Sequence, residues 1–142
     1  MHGICINSFI PGLSMSYEVC VDDNAGIIKI IWTGEMDLPV LKRHLLTYNH
    51  HISHTDHNVL YDFRNISKIN LTSDDLAQLA ELAISIFDPL LKTNKVAMLS
   101  ANEEVLEFGR LFVEKREGLS EGSPSHGFFK DINKAMSWLI DE

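Results

Sequence analysis

The sequence predicts an α/β domain with a mixed, mostly parallel sheet and element order β-β-α-β-α-β-α-β-α. Three observations carry that reading. Two strand-like segments joined by Asp23-Asn24-Ala25-Gly26 form a hairpin, since Asn and Gly tolerate the positive φ of a tight turn. Beyond it, apolar runs of strand length alternate with helical stretches, and such alternation needs crossovers that lay helices against parallel strands. The segment Val59 to Ala83, VLYDFRNISKINLTSDDLAQLAELA, shows the pattern most clearly. An apolar run breaks at Asp62, passes through a polar loop, and re-enters an apolar helix behind Thr72-Ser73-Asp74-Asp75.

Each element has a local cause. Tyr17, Val19 and Val21 alternate with Glu18, Cys20 and Asp22, the period-2 signature of a half-buried strand. GIIKIIWT, from Gly26 to Thr33, is the second strand of the hairpin. Asp37 is placed to cap the first helix, with Pro39 in its first turn, where a missing N–H costs nothing. Val40, Leu41, Leu45, Leu46 and Tyr48 carry that helix to about His51. NVLYDF is apolar almost throughout and is expected in the interior of the sheet.

Thr72 or Ser73 caps the second helix, and Asp74 and Asp75 suit its positive end. It runs to about Phe87, before Pro89. KVAML is the fourth strand, and Ser100-Ala101-Asn102-Glu103 opens a third helix with Val105, Leu106, Phe108, Leu111 and Phe112 on its apolar face. After the turn-rich GLSEGSPSHG come a short strand at Phe128-Phe129 and a last helix from Asp131 to Ile140.

The 142 residues suit one domain, 15–142, with 1–14 as an N-terminal extension. A net charge of −8 without a basic stripe argues against a nucleic-acid or anionic-membrane binder, both of which need a basic face. No apolar run reaches 18 residues, so no membrane insertion is expected. The start, MHGICINSFIPGLS, lacks the basic residues and cleavage site of a signal peptide, and a cytoplasmic protein is expected. Cys5 and Cys20 show no metal-binding spacing and read as two reduced thiols; a disulfide would require the N-terminal segment to fold beside the first strand.

The order of elements, together with WTGEMDLPVL, VLYDFRNISKINLTSDDL, KVAMLS and FFKDINKAMSWL, resembles the STAS domain. That is the fold of bacterial anti-sigma-factor antagonists, and the chain looks closer still to their small STAS-like and CRAL-TRIO-like relatives. The resemblance covers Ser16 to Glu142. In regulatory members, a Ser or Thr capping the second helix is phosphorylated by a partner kinase, and the matching positions are Thr72 and Ser73. Those members carry Asp-Ser-Ser-Gly at this turn, where this chain has Asn70-Leu71-Thr72-Ser73-Asp74-Asp75. A phosphate here would gain from the helix N-terminus and be repelled by the two carboxylates.

The remaining clusters are weighed on their chemistry. Five of the seven histidines fall between His44 and His57, and His50 and His54 would share a helix face at metal-binding spacing. With no HExxH and no cysteine partner, they are expected to be solvated loop residues, and no metal or cofactor is expected. Asp62 and Arg64 flank the end of the central strand, where open α/β sheets place ligand or partner sites. Asp22, Asp23, Glu35 and Asp37 lie near turns and are candidates to gather there. No nucleophile–base motif, P-loop or GxGxxG is present, so no enzyme is expected. Trp32 and Trp138 are expected to anchor the core, and helix two is apolar nearly all round. The leading expectation is a non-catalytic STAS-like protein-interaction module, regulatory and homodimeric. The alternative is a small-molecule or lipid-binding module with an apolar pocket.

Overall fold

The computed structural model describes residues 4–8, 15–51, 57–86, 94–119 and 125–141, with the backbone alone at 4–8, 47–51, 86 and 119. The strands are β1 (Ile4–Ser8), β2 (Met15–Asp22), β3 (Ile27–Asp37), β4 (Asn58–Asn70), β5 (Lys95–Leu99) and β6 (Ser125–Phe129). The helices are α1 (Leu38–His51), α2 (Ser73–Ile86), α3 (Glu103–Leu119) and α4 (Ile132–Ile140). One sheet carries all six strands in the order β1-β2-β3-β4-β5-β6. Its first two pairings are antiparallel and the other three parallel. This is the mixed, mostly parallel α/β architecture the sequence predicts, with Val59–Phe63 inside the sheet.

Side-chain alternation assigns the two faces. Ile28, Ile30 and Trp32 of β3, Val59 and Phe63 of β4, and Val96 and Met98 of β5 join one apolar cluster with Val40 and Leu45 of α1, Leu79 of α2 and Val105 of α3. This near face is therefore covered by three helices. On the far face, among the described residues, Ile27, Leu60, Ala97 and Leu99 pack against Ala135 and Leu139 of α4. Burying one helical stripe per helix is what the 3.6-residue period of each allows.

Three differences from the sequence reading have physical causes. RNISKIN is strand, not loop. β4 continues beside the end of β3, from Thr33↔Asn65 to Asp37↔Asn70. Ile66 joins the near-face cluster, and Ile69 packs against it. Pairing thus overrides the polarity of the segment. The β3 side accommodates the extension with register shifts and with Gly34 at φ +102°, a conformation that favours glycine.

Second, Ile4–Ser8, placed by the sequence in an extension, pairs antiparallel with β2 and sets Cys5 opposite Cys20. Cys20 is disulfide-bonded, which corrects the expectation of two reduced thiols. Third, His44 is a core residue, 3% exposed, and not a solvated loop histidine. It lies on the same helical stripe as Leu41 and Leu45.

Candidate functional site

The main feature of the near face is a cavity of about 90 Å³ inside the apolar layer. Its floor is the sheet: Trp32 of β3, Val59, Tyr61 and Phe63 of β4, and Val96 and Met98 of β5. Its roof comes from all three helices, through Leu41, His44 and Leu45 of α1, Leu76 and Leu79 of α2, and Phe108 and Phe112 of α3. Gly109 of α3 also lines it, and a Cβ there would meet Met98 Sδ at 2.8 Å, so a larger residue would have to push the end of the Met98 side chain aside.

The void is walled by rings at the β3 end. Trp32 lies 4.7 Å from Tyr17 and 5.1 Å from His44, ring centre to ring centre, and stacks with Phe63 at 6.3 Å. His44 stands edge-on to Trp32 at 82°, and its Nε2 lies 3.1 Å from the Tyr61 hydroxyl. At the β6 end the wall includes Arg116, 2% exposed. Its guanidinium sits 5.5 Å from the Phe112 ring centre, and Nη1 is 3.1 Å from His126 Nε2. Cation–ring stacking and a hydrogen bond are the usual ways of making a buried guanidinium tolerable.

The sequence carried a signal for both polar wall residues. His44 falls three and four residues from Leu41 and Val40 on α1, and Arg116 falls four residues after Phe112 and eight after Phe108 on α3. A polar side chain in register with an apolar stripe must enter the core or leave a gap in it.

The residues singled out from the sequence lie elsewhere. Asp62 is buried, at 5% exposure, on the far face. Arg64 closes over it with Nε to Oδ1 at 3.0 Å and Nη2 to Oδ2 at 2.8 Å, and the Arg64 backbone N–H also donates to Oδ1. Those bonds to Asp62 raise the guanidinium pKa further above its ordinary value, against a smaller loss from burial. Both carboxylate oxygens are engaged within one strand, so the pair behaves as a closed unit.

Thr72 and Ser73 are exposed at the start of α2. Thr72 Oγ1 accepts from the Asp75 N–H at 3.1 Å, and Asp75 Oδ2 accepts from the Thr72 N–H at 2.9 Å, a reciprocal capping box. Ser73 is the first residue of the helix.

The four turn carboxylates do not gather. Asp22 accepts from the Ala25 N–H inside the hairpin turn, and Asp23 meets His57 Nε2 at 3.0 Å. Glu35, at the opposite end of β3, accepts from Asn70. Asp37 directly precedes α1, but its Oδ1 is buried with no donor among the described residues, so that oxygen forms no cap. Of the histidines, His57 is buried at 7% exposure. His54 and the side chains of His50 and His51 lie outside the described residues. Among the described residues no cluster of three metal-ligating side chains occurs, and no helix is long and apolar enough to cross a membrane.

No protein family matches the chain, and no curated protein sequence does. Among solved structures, an uncharacterised protein from Shewanella loihica PV-4, of the DUF3478 family and described as having a SpoIIAA-like fold, aligns with it. The alignment covers 98% of this chain and 95% of the other, at 14% identity and a TM-score of 0.49. A SpoIIAA-like fold is the STAS-like fold that the sequence resembles.

Proposed function

We propose that this chain is a non-catalytic binding module whose ligand is a small apolar molecule held between the sheet and helices α1 to α3. The observation that carries the reading is the cavity. The pocket, of about 90 Å³, is walled almost wholly by apolar side chains, and a bound apolar molecule would remove that surface from water. No catalytic step is part of the proposal. Its wall histidine is bonded to Tyr61, its arginine to His126, and Asp62 is closed by Arg64 on the other face.

This reverses the order of the two expectations drawn from the sequence. The first rested on the fold and the absence of a catalytic motif, the second on the apolar excess of the second and third helices. Leu76, Leu79, Ala80 and Ala83 are buried, and the large exposed apolar side chains among the described residues are Leu46, Leu111 and Ile140, on the other three helices. A protein-interaction role, with self-association and regulation by ligand occupancy, is the second reading. What favours it is the far face of β2 and β3. Here α4 packs on β4, β5 and β6, and Lys29, Ile31 and Thr33 keep part of their surface. A dimer that dissociates on Ile31→Glu in sedimentation runs would support that reading, and a monomer at all concentrations would remove it. The expected setting is the cytoplasm; the Cys20 disulfide, of a kind rare in that compartment, is the observation that weighs against it.

The ligand-binding reading is tested by thermal unfolding in buffer saturated with cyclopentane. Binding to the native state raises Tm by mass action. Leu79→Phe, which fills the void from α2, should fold and lose that rise. No rise in the wild type, or an equal rise in the filled variant, would sink the proposal.

A further inference from the structure

The chain contains two cysteines, Cys20 is disulfide-bonded, and Cys5 stands directly opposite it where β1 pairs with β2. The bond therefore joins Cys5 to Cys20 and ties an edge strand to its neighbour. β1 has five residues and lies at the end of the sheet, so β2 is its one strand neighbour among the described residues. β2 is secured from its other side. It pairs with β3 along its whole length, from Met15↔Gly34 to Asp22↔Ile27, and Met15, Tyr17 and Val19 are buried in the near-face cluster. Without β1, β2 keeps most of what holds it; without the disulfide, β1 keeps one short row of backbone bonds. A pairing of that size is marginal in water. A link across a loop of roughly 15 residues favours the closed arrangement over the open one by about a hundredfold.

The bond is also reachable. Cys20 alternates with the buried Val19, which puts it on the far face of β2, where it keeps part of its surface. On that face α4 packs on β4, β5 and β6. The two cysteines lack the CxxC spacing of a dithiol oxidoreductase, which leaves a permanent staple or a bond that responds to its surroundings.

We propose that Cys5–Cys20 is a redox-operated clasp: a dithiol reductant opens it, and β1 then leaves the edge of β2 while the rest of the sheet stays folded. The inference is independent of the ligand-binding reading. One thiolate of the reductant attacks a sulfur of the bond and expels the other sulfur as a thiolate, leaving a mixed disulfide. The second thiolate of the reductant breaks that intermediate. Two electrons and two protons pass to the protein, which ends with two thiols, and the reductant ends as a disulfide. A bond of this kind resolves the conflict with a cytoplasmic setting, where disulfides are transient rather than permanent.

The test is amide hydrogen exchange on the full chain, oxidised and then equilibrated with dithiothreitol, read by mass spectrometry of its peptides. Reduction is expected to lower the protection of residues 4–8 by about a hundredfold, the worth of the closed loop, and to leave β3, β4 and β5 as they were. Oxidised glutathione should restore the first pattern. Unchanged protection at residues 4–8 would show that the bond does not hold β1, and would overturn the proposal. Loss of protection throughout β3 to β5 would overturn it too, by showing a staple on which the whole domain depends. So would a bond that stays closed in the native protein under a large excess of reduced glutathione. Cys5→Ser, without any reductant, should reproduce the reduced pattern, and full protection of β1 in that variant counts against the clasp. If Cys5→Ser fails to fold, reduction of the wild-type protein makes the same comparison without a substitution.

Discussion

The two faces of the sheet are packed to different standards. The near face has three helices and most of the apolar side chains, yet leaves a pocket of about 90 Å³ that is partly open to solvent. The far face has, among the described residues, one helix of nine residues and a small apolar cluster, closely packed around Gly127. A Cβ added at Gly127 would meet Phe129 at 2.7 Å and Trp138 at 3.2 Å. Polar latches hold α4 in place as well. Asn58 Nδ2 donates to the Leu139 carbonyl at 2.7 Å, and Lys95 Nζ donates to the carbonyls of Trp138 and Asp141. Such donors satisfy the last carbonyls of a helix too short to hold itself together in water. The difference teaches that the void is not a consequence of too little hydrophobic material. It occurs where that material is most abundant, which is why it reads as a site.

The largest expected effect is on the tight face. Leu60→Asp places an unpaired carboxylate in the far-face cluster, where Leu60 is 1% exposed. The cost of several kcal/mol is comparable to the whole stability of a domain, so the protein should be unfolded by circular dichroism.

The sharpest test of the comparison is a pair of additions. Gly127→Ala should lower stability by about 1–3 kcal/mol in urea melts, because its methyl group has nowhere to go. Leu79→Phe adds more volume on the near face and should cost less. Equal losses would mean the two faces are equally packed, and the site reading would lose its basis.

Thr72→Ala should cost about 1 kcal/mol by removing one half of the α2 capping box, while Thr72→Asp restores most of it. A larger loss would mean that α2 depends on its cap more than on its burial, and would weaken the view that packing governs the near face.

The smallest effect concerns the link between the faces. Glu103, at the start of α3, bonds Lys130, which precedes α4, and Arg110. Lys130 first, then Arg110, holds the Glu103 carboxyl below its usual range. A depressed carboxylate pKa contributes stability above its unfolded value and loses it as pH falls through the folded one. Glu103→Gln should therefore differ slightly from wild type near neutrality and match it in strong acid, with the gap narrowing in salt. A gap unchanged at pH 2 would show that the side chain acts through packing instead. The carboxylate is fully exposed, which keeps the effect small.

Much of the architecture was legible because its causes are local. The alternation of Tyr17, Val19 and Val21, the Asp23–Gly26 turn, the box at Thr72 and Asp75, and Asp131 ahead of α4 act within a few residues of themselves. Lys95–Leu99 could be bounded from sequence for the same reason, as a short apolar run between polar ends. The candidate site was legible only in fragments. Asp62 and Arg64 drew notice as charges at a strand end, but their spacing of two residues lets them satisfy one another on one face. His44 and Arg116 were the residues to notice, as polar side chains in register with apolar stripes.

By itself, then, the sequence determined most of the strands and helices, where most of the helices start, and that a hairpin precedes the parallel strands. Those outcomes follow from backbone preference, capping and periodicity, all short-range. Only the tertiary structure decided that RNISKIN extends β4, that Ile4–Ser8 pairs with β2, and that three helices roof a pocket walled by Trp32, His44 and Arg116. Each of these depends on what stands opposite, across a strand pair or a layer of side chains. Pairing and packing are set by residues tens of positions apart, whose distances no local pattern encodes.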